Sequence, residues 1–289
     1  RQPEFNDALS LRTPNGRRVT GLASLDDKVI VFTKSHIYAI AGSGPNDLGL
    51  QNDFSTLTQI ASDSGCVSDR TVVSFSGGVL YQAERGIMVL GRGLSLRFVG
   101  ESIKDTLAEY PTITSATNIP ERNEIRINVS KVDGAGNVVS KTLVYNYYRD
   151  VWSSWLVGYN ADPAAPAINT AHISSTLHDG RHFLLDQTGI IYRQRLATDA
   201  NAYRDNNPAG SGETWIPLKT SSAWIQFSQP AGFSRLKRIM PVIRDEATFD
   251  FKVNVATDFK RQSYEGFTYA HANIASTTKD GQPLKYRMK

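Results

Sequence analysis

The feature that most constrains the fold of this sequence is an internal repeat. Residues 22–42 align with residues 72–91 at an offset of fifty residues, and the aligned pairs are Ser24 with Ser74, Leu25 with Phe75, Val29 with Val79, Ile37 with Ile87 and Ile40 with Leu90. A third copy covers residues 173–192, and a diverged fourth covers residues 113–155. Each unit consists of a strand, a tight turn, a buried strand, a second turn and another strand. Because so small an antiparallel sheet cannot bury its own faces, the copies must pack on one another.

Short runs of β-branched and aromatic residues between turn residues predict strands along most of the chain. Residues 28–33 and 124–129 alternate in polarity, which predicts one buried and one solvated face for each strand. The spacing of Ile103, Leu107 and Tyr110 predicts one short helix over residues 103–110. Further strands are expected within 214–227 and 239–255, and the polar, turn-rich residues 199–213 predict an exposed loop.

A period near fifty residues with several strands in each unit favours an all-β fold, namely a β-propeller built of antiparallel blades. A sandwich or a pair of sandwiches is the alternative, because their strands also recur at short spacing. We expect an N-terminal arm over 1–18, propeller blades over 19–261, and a C-terminal arm or closing strand over 262–289. The first residues carry no signal-peptide pattern, and the start at Arg1 leads us to expect that preceding residues are missing.

The composition excludes several classes of protein. Of the 289 residues, 40% are hydrophobic and 21% are charged, which supplies a core and excludes a wholly disordered chain. The net charge of +4 is too small to indicate nucleic-acid binding by bulk charge. The single cysteine, Cys66, excludes a disulfide framework and a cysteine-rich zinc module, and we expect it to be a small packed residue. The sequence has no apolar run of about 18 residues, the length that a membrane-spanning helix needs.

Motifs for metal or phosphate binding are incomplete in this sequence. His178 and His182 have the spacing of a helical zinc pair, but Asp179 and Gly180 between them predict a turn, which favours histidines on the surface of a hairpin. The glycine-rich residues 42–49 lack the Lys-Ser/Thr that completes a phosphate-binding loop, so we interpret them as a loop between blades. No cofactor and no metal is therefore expected.

Catalytic signatures are also missing from the sequence. Residues 212–215 resemble the end of the Asp-box turn of sialidase-type propellers, but the preceding Ser and Asp of that motif are absent. Asp26, Asp27, Asp162 and Asp186 are expected to be turn carboxylates rather than the two adjacent carboxylates of a glycosidase. There is no Gly-x-Ser-x-Gly elbow and no Cys-His signature. We therefore assign no catalytic residue and expect a protein that is not an enzyme.

Two clusters of side chains could form contacts. The basic group Arg235, Lys237, Arg238 and Arg244 indicates a solvated face or ion pairs between subunits, and a phosphate contact is the alternative. Aromatic residues are concentrated in one segment, where we favour core and blade packing over a sugar platform. They are Tyr145, Tyr147, Tyr148, Trp152 and Trp155.

The repeated units resemble tail proteins of short-tailed phages. The residues that carry the resemblance lie in segments 21–32, 37–45, 60–67, 78–90 and 144–155. They are similar to the tail nozzle, also called tail tubular protein B, and to related phage DNA-stabilisation proteins. The resemblance covers roughly residues 18–260, although family members usually have more chain before the first blade.

This resemblance implies a structural protein of the virion: a β-propeller protomer in a homohexameric ring below the adaptor of the head–tail connection. The lumen of such a ring retains the genomic DNA and conducts it during ejection. The expected partners are further copies of the chain, the tail adaptor protein, the DNA, and a tail fibre or needle protein. Candidate subunit-interface or lumen residues lie in loops and on the basic strand, and they are Asn46, Asp47, Arg204, Asp205, Arg235, Lys237 and Arg238.

Two other function classes remain open at the level of sequence. A propeller-type tail module that binds a receptor or a glycan would use exposed aromatic side chains, and Trp215 and Trp224 are its candidates. A propeller hydrolase would require a pocket with two adjacent carboxylates. Because one fold supports many functions, the resemblance in fold does not separate these classes.

Overall fold

A computed structural model describes residues 12–42, 44, 53–61, 63–155, 171–196 and 198–199, together with four strands at 204–206, 213–215, 250–255 and 264–270. Contacts within the chain divide it into two compact units, Arg1–Pro217 and Leu218–Lys289. In the second unit, the described residues form one antiparallel hairpin, Asp250–Val255 with Tyr264–Ala270.

Four antiparallel sheets follow one another along the first unit, and each is a simple meander. Sheet I contains β1 (Val19–Leu25), β2 (Lys28–Thr33), β3 (Ile37–Ala41) and β4 (Thr58–Ala61). Sheet II contains β5 (Val73–Phe75), β6 (Gly78–Ala83), β7 (Gly86–Gly91) and β8 (Leu96–Phe98). Sheet III contains β9 (Thr112–Ile119), β10 (Glu124–Val132), β11 (Val138–Asn146) and β12 (Val151–Trp155). Sheet IV contains β13 (His172–His178), β14 (Arg181–Asp186) and β15 (Ile191–Arg193).

Smaller elements accompany these sheets, among them 3-10 turns at Pro14–Gly16, Asp69–Thr71 and Pro120–Arg122. A short 3-10 turn, Glu101–Ile103, leads into the helix α1 (Lys104–Glu109), where Ile103 and Tyr110 are buried, as their spacing predicts. Two hairpins follow sheet IV, and they pair β16 (Arg204–Asn206) with β17 (Glu213–Trp215) and β18 (Asp250–Val255) with β19 (Tyr264–Ala270). For the described residues, the prediction of a mostly β chain with one short α-helix is therefore confirmed.

The sequence repeat corresponds to repeated sheet structure. Strand β2 begins at Lys28 and β6 at Gly78, which reproduces the offset of fifty residues. Strands β13 and β14 have the lengths of β1 and β2, and both begin 153 residues later, at His172 and Arg181. Each copy is the predicted succession of strand, turn, strand, turn and strand.

The sheets bury their faces on one another in chain order. Ile30 and Phe32 of sheet I share an apolar cluster with Val79 and Tyr81 of sheet II, and Cys66 lies in the same cluster, as expected for a packed residue. The opposite face of sheet II packs on sheet III in a second cluster, which includes Leu80, Val89, Ile125, Ile127 and Leu143. Sheet II is thus enclosed between its neighbours in sequence.

The first strands of the four sheets lie side by side: β1 beside β5, β5 beside β9, and β9 beside β13. Side chains link them directly, since Ser74 Oγ donates to the Ser24 carbonyl at 3.3 Å and Asn118 Nδ2 donates to the Ser74 carbonyl at 3.2 Å. The hydroxyl of Ser175 contacts that of Thr117 at 2.7 Å between sheets III and IV. The sheets therefore follow one another from a common row of first strands.

Two predictions from sequence need correction, and a third is tested only in part. Strands β2 and β10 do not have one solvated face, because most of their residues on both faces are buried between neighbouring elements. The expected loop over 199–213 contains β16 and the start of β17. The expected strands over 214–227 and 239–255 are described over 214–215 and 250–255, and the rest lies outside the described residues.

The proposed boundaries at 18/19 and 261/262 stay predictions. Strand β1 begins at Val19, and residues 1–11 of the expected N-terminal arm lie outside the described part of the chain. Strand β19 lies inside the expected C-terminal arm and pairs with β18, which precedes that arm.

Candidate functional site

The interface between sheets III and IV contains an unusual concentration of buried polar side chains, here called the buried polar layer. On sheet III its members are Arg126, Asn128, Ser130, Ser140 and Thr142, and on sheet IV they are His172, His182 and Asp186. The alternation of β10 creates this layer, because Ile125, Ile127 and Val129 point to sheet II while the residues between them point the opposite way.

Arg126 is the largest side chain of the layer, and none of its surface is exposed. Its Nη2 and Nε donate to Oε2 of Glu124 at 2.8 Å and 3.2 Å, and its Nη1 donates to Oε1 of Gln194. The guanidinium carbon lies 4.1 Å from the centre of the Trp155 ring. Burial lowers the pKa of Arg126, and the Glu124 carboxylate opposes that shift. A paired, stacked guanidinium of this kind holds sheet III to the chain beyond β15.

A chain of hydrogen bonds runs from Asn128 to sheet IV. The hydroxyl of Thr142 donates to Asn128 Oδ1 at 2.7 Å, and Asn128 Nδ2 donates to Ser115 Oγ at 2.8 Å. Ser115 Oγ lies 3.0 Å from Ser175 Oγ in β13. Both ends of the Asn128 amide are therefore satisfied, as the burial of an amide requires.

The two histidines of the layer, in contrast to Asn128, have ring nitrogens without hydrogen-bond partners. Nδ1 and Nε2 of His172 and Nε2 of His182 are buried without a hydrogen-bond partner in the described part of the chain. Burial lowers the pKa of both imidazoles: that of His182 falls to about 3, helped by the charge of Arg126, and that of His172 falls although the Asp186 charge opposes the shift. Both rings are neutral near pH 7. The expectation of surface histidines holds for exposed His178 and is wrong for His182, since sheet III covers that side of β14.

Asp186 is a turn carboxylate, as predicted. Its Oδ1 accepts hydrogen bonds from the Thr188 amide at 2.8 Å, the Thr188 hydroxyl at 2.7 Å and the Ile190 amide at 2.9 Å. Burial raises the pKa of Asp186, but these hydrogen bonds outweigh burial and lower it. Asp26 also occupies a turn, with φ of +52°, and accepts from Arg92 at 2.7 Å.

Neither a metal-binding cluster nor a membrane-spanning helix is found in the described part of the chain. Within the described ranges, no group of three or more His, Cys, Asp or Glu side chains could hold a metal ion. In the same ranges, no helix has the length and apolar character that crossing a membrane requires.

Most aromatic side chains of residues 145–155 pack against other side chains, as predicted. Tyr145 is fully buried and stacks on Trp152 at 4.7 Å, while Tyr147 contacts Phe75 at 4.9 Å. Tyr148 is the exception, since 82% of it is exposed. It borders a cleft of about 410 Å³ that is also lined by Phe75, Arg97, Asn123 and Tyr147.

A larger cleft of about 880 Å³ lies at the start of β1. Arg17, Arg18 and Lys34 line it, and Lys34 forms an ion pair with Glu84 at 3.1 Å. Asp69 is the one carboxylate among the lining residues, and with Lys34 paired to Glu84 the cleft keeps a small surplus of positive charge.

Most of the interface or lumen residues proposed from sequence lie outside the described part of the chain, namely Asn46, Asp47, Arg235, Lys237 and Arg238. Arg204 and Asp205 lie in β16, where they pair with Trp215 and Thr214 of β17. Sequence reasoning missed Arg126, His172 and His182. The alternation of β10 from Glu124 to Ser130 indicates a polar face opposite Ile125, Ile127 and Val129, but it does not tell what covers that face.

Comparison with known proteins does not assign the chain to a family. No protein-family model matches the chain, and no curated protein matches it. Among solved structures, BamB from Moraxella catarrhalis aligns with 64% of this chain and 48% of its own, at 10% identity and a TM-score of 0.37. PorZ, a component of the type-IX secretion system of Porphyromonas gingivalis, aligns with 64% of this chain and 27% of its own, at 10% identity and a TM-score of 0.34. The chain thus spans less than half of either protein, and likeness this low supports no inference about function.

Proposed function

We propose that this chain is a β-propeller protomer of a phage tail nozzle, a structural virion protein that retains genomic DNA and conducts it during ejection. The observation that carries the proposal is the row of first strands: β1, β5, β9 and β13 are neighbours, and each begins an antiparallel sheet. Blades of a propeller have this relation, because their first strands surround a common axis. The role in a phage tail, which is the functional part of the proposal, rests on the residues that resemble tail nozzle proteins.

The proposed mechanism is mechanical. Apolar clusters join sheet I to sheet II and sheet II to sheet III, so that force on one sheet is transmitted to the next through a close-packed interior. In the proposed homohexamer, such sheets form the wall of a conduit below the adaptor. A lumen with few strong phosphate contacts lets the DNA slide, in keeping with the small net charge of +4. Asn46, Asp47, Arg204, Asp205, Arg235, Lys237 and Arg238 are the proposed contacts with neighbouring subunits or the lumen.

Imaging of the intact particle by cryo-electron microscopy tests the proposal. A ring of six copies on the tail axis is the expected result, because a conduit must enclose the DNA. A single copy at the periphery of the tail would overturn the conduit function.

We propose glycan binding as the second candidate function, since one observation favours it. Tyr148 is mostly exposed beside Tyr147, and Arg97 and Asn123 line the same cleft. Sugars bind through stacking of their apolar face on an aromatic ring and through hydrogen bonds from groups of this kind. The cleft thus offers a position for a receptor glycan on the tail.

A glycan array with the Tyr148→Ala variant tests the second candidate. If the cleft binds sugar, the intact chain binds a subset of glycans, and the variant loses at least about tenfold in affinity because a stacking contact worth about 1.4 kcal/mol is removed. The matched control is Val132→Ala, which removes another exposed side chain in sheet III. Absence of binding by the intact chain, or equal binding by both variants, would rule out this cleft.

A further inference from the structure

The three interfaces between neighbouring sheets differ in chemistry. Sheets I and II, and sheets II and III, meet through clusters of apolar side chains. Sheets III and IV meet through the buried polar layer, where Arg126, Asn128, Ser140, His172 and His182 are all buried. The last interface therefore buries charged and titratable side chains, whereas the ion pairs at the other two, Lys34 with Glu84, Arg92 with Asp26 and Arg97 with Asp150, are exposed.

The charged and polar groups around each histidine determine how costly it is to protonate its ring inside the layer. His182 faces the charge of Arg126 from sheet III and, more weakly, His172 from its own sheet. The backbone amide of Gln194 donates to the His182 carbonyl at 2.9 Å, and the side-chain Oε1 of Gln194 accepts from Arg126. The nearby carboxylate of Glu124 already accepts two hydrogen bonds from Arg126. No free carboxylate among the described residues is thus available to compensate a proton on His182.

His172 lies at the other end of the layer. Its backbone amide donates to Ser140 Oγ in β11 at 3.0 Å, and its ring is 5.9 Å from the ring of Tyr192 in β15. The carboxylate of Asp186 in β14 is the charge that favours protonation. Because Asp186 already accepts hydrogen bonds from Thr188 and Ile190, its compensation of a charged His172 is incomplete.

We propose that the interface of sheets III and IV is an acid-sensitive joint, in which protonation of His172 and His182 separates sheet IV from sheet III while sheets I to III stay packed. A proton on His182 places a second positive charge beside Arg126 in a water-excluded layer. Opening of the joint returns both charges to water and so relieves the cost of burying them. This inference stands apart from the proposed nozzle function.

The pH range follows from the direction of the two pKa shifts. A histidine whose pKa is lowered by folding binds its proton in the open state first, so closure is fully favoured above the ordinary pKa and is lost as the pH falls below it. With an ordinary pKa of about 6.5, protonation of His182 alone raises the opening equilibrium about 30-fold at pH 5. Protonation of His172 adds to this change in the same direction.

Hydrogen–deuterium exchange of the full chain, followed by mass spectrometry at pH 7.5 and pH 5.0 and corrected for intrinsic exchange rates, tests the joint. Peptides that cover β13 and β14 are expected to lose protection at pH 5.0 by about 30-fold or more. Peptides that cover β2 and β6 are expected to keep theirs, since apolar clusters hold those strands. Unchanged protection of sheet IV, or equal loss in all four sheets, would overturn the proposal.

Variants identify the groups that titrate. The double variant His172→Asn with His182→Asn is expected to abolish the acid response of β13 and β14, while His178→Asn, an exposed histidine of the same hairpin, is expected to retain it. An unchanged response in the double variant would overturn the proposal.

Should the double variant fail to fold, the pH at which the wild-type chain starts to lose protection decides. Protection of sheet IV is expected to start falling just below about pH 6.5, the ordinary pKa of a histidine in the open state. An onset near about pH 4 would assign the response to carboxylates and overturn the proposal, since hydrogen bonds lower the pKa of Asp186 and Arg181 lowers that of Asp199.

Discussion

At the scale of single residues, Arg126 shows how much of the structure depends on one charge. Its guanidinium is fully buried and joins three groups: the Glu124 carboxylate, the Gln194 amide and the Trp155 ring. A buried ion pair contributes little net stability compared with an apolar pair, but loss of one partner leaves the other charge uncompensated. The contribution of Arg126 to the free energy of unfolding is therefore large only when Arg126 is replaced and Glu124 is kept.

We expect Arg126→Ala to lower the free energy of unfolding by about 3–5 kcal/mol, because Glu124 would remain largely buried without its partner. Arg126→Lys is expected to restore only part of the loss, since an ammonium cannot bind Glu124 and Gln194 in the same fork. Chemical denaturation with urea measures both changes. Arg122→Ala is the control, as Arg122 is exposed, and a loss in the control equal to that in Arg126→Ala would contradict the assigned role.

Prediction of single residues from the sequence succeeded where neighbours in the sequence determine the environment of the residue. Asp186 could be assigned to a turn, because a carboxylate caps backbone amides two and four residues along the chain. His182 could not be assigned correctly. The turn at Asp179 and Gly180 predicts a hairpin, but the burial of His182 depends on sheet III, which is distant in sequence.

At the scale of elements, turn chemistry determines where each strand begins. Gly78 opens β6 with φ of +138°, a conformation that side chains rarely adopt. A Cβ atom at this position would lie 2.0 Å from the carbonyl oxygen of Leu90 in β7. The glycine therefore permits the close approach of β6 and β7 in sheet II.

The expected effect of Gly78→Ala is a loss of about 2–3 kcal/mol in the free energy of unfolding, because both the backbone conformation and the Leu90 carbonyl oppose the new methyl group. Gly93→Ala, in a turn of the same sheet, is the matched control: its Cβ would meet nothing within 4 Å. Thermal unfolding of the two variants makes the comparison. Equal midpoints for both would show that sheet II accommodates the strain.

The limits of β2 agree with residues 28–33 predicted from sequence, since alternation and turn residues mark both ends. The environment of the strands was predicted less well. Alternation in β10 correctly separates Ile127 and Val129 from Arg126 and Asn128, but it does not say whether water or another sheet covers the polar face. Period alone indicates two faces, and only tertiary packing tells what each face contacts.

At the scale of the whole molecule, the repeat was the most informative signal. Offsets of fifty and 153 residues correspond to sheets that repeat the same order of strands. Since a small meander is unstable alone, the repeat also predicts that the sheets pack in series, and sheets I to III do so through apolar clusters. The polar interface of sheets III and IV was not predictable, because the fourth copy had diverged from the others in sequence.

Cryo-electron microscopy of an intact particle that carries this chain is the most direct test of the proposed nozzle. The account predicts a six-fold ring on the tail axis, continuous DNA density in its lumen, and the first strands of sheets I to IV placed around the axis of each propeller. A peripheral position, or the absence of any ring, would contradict the conduit function and leave glycan binding at the Tyr148 cleft as the function to pursue.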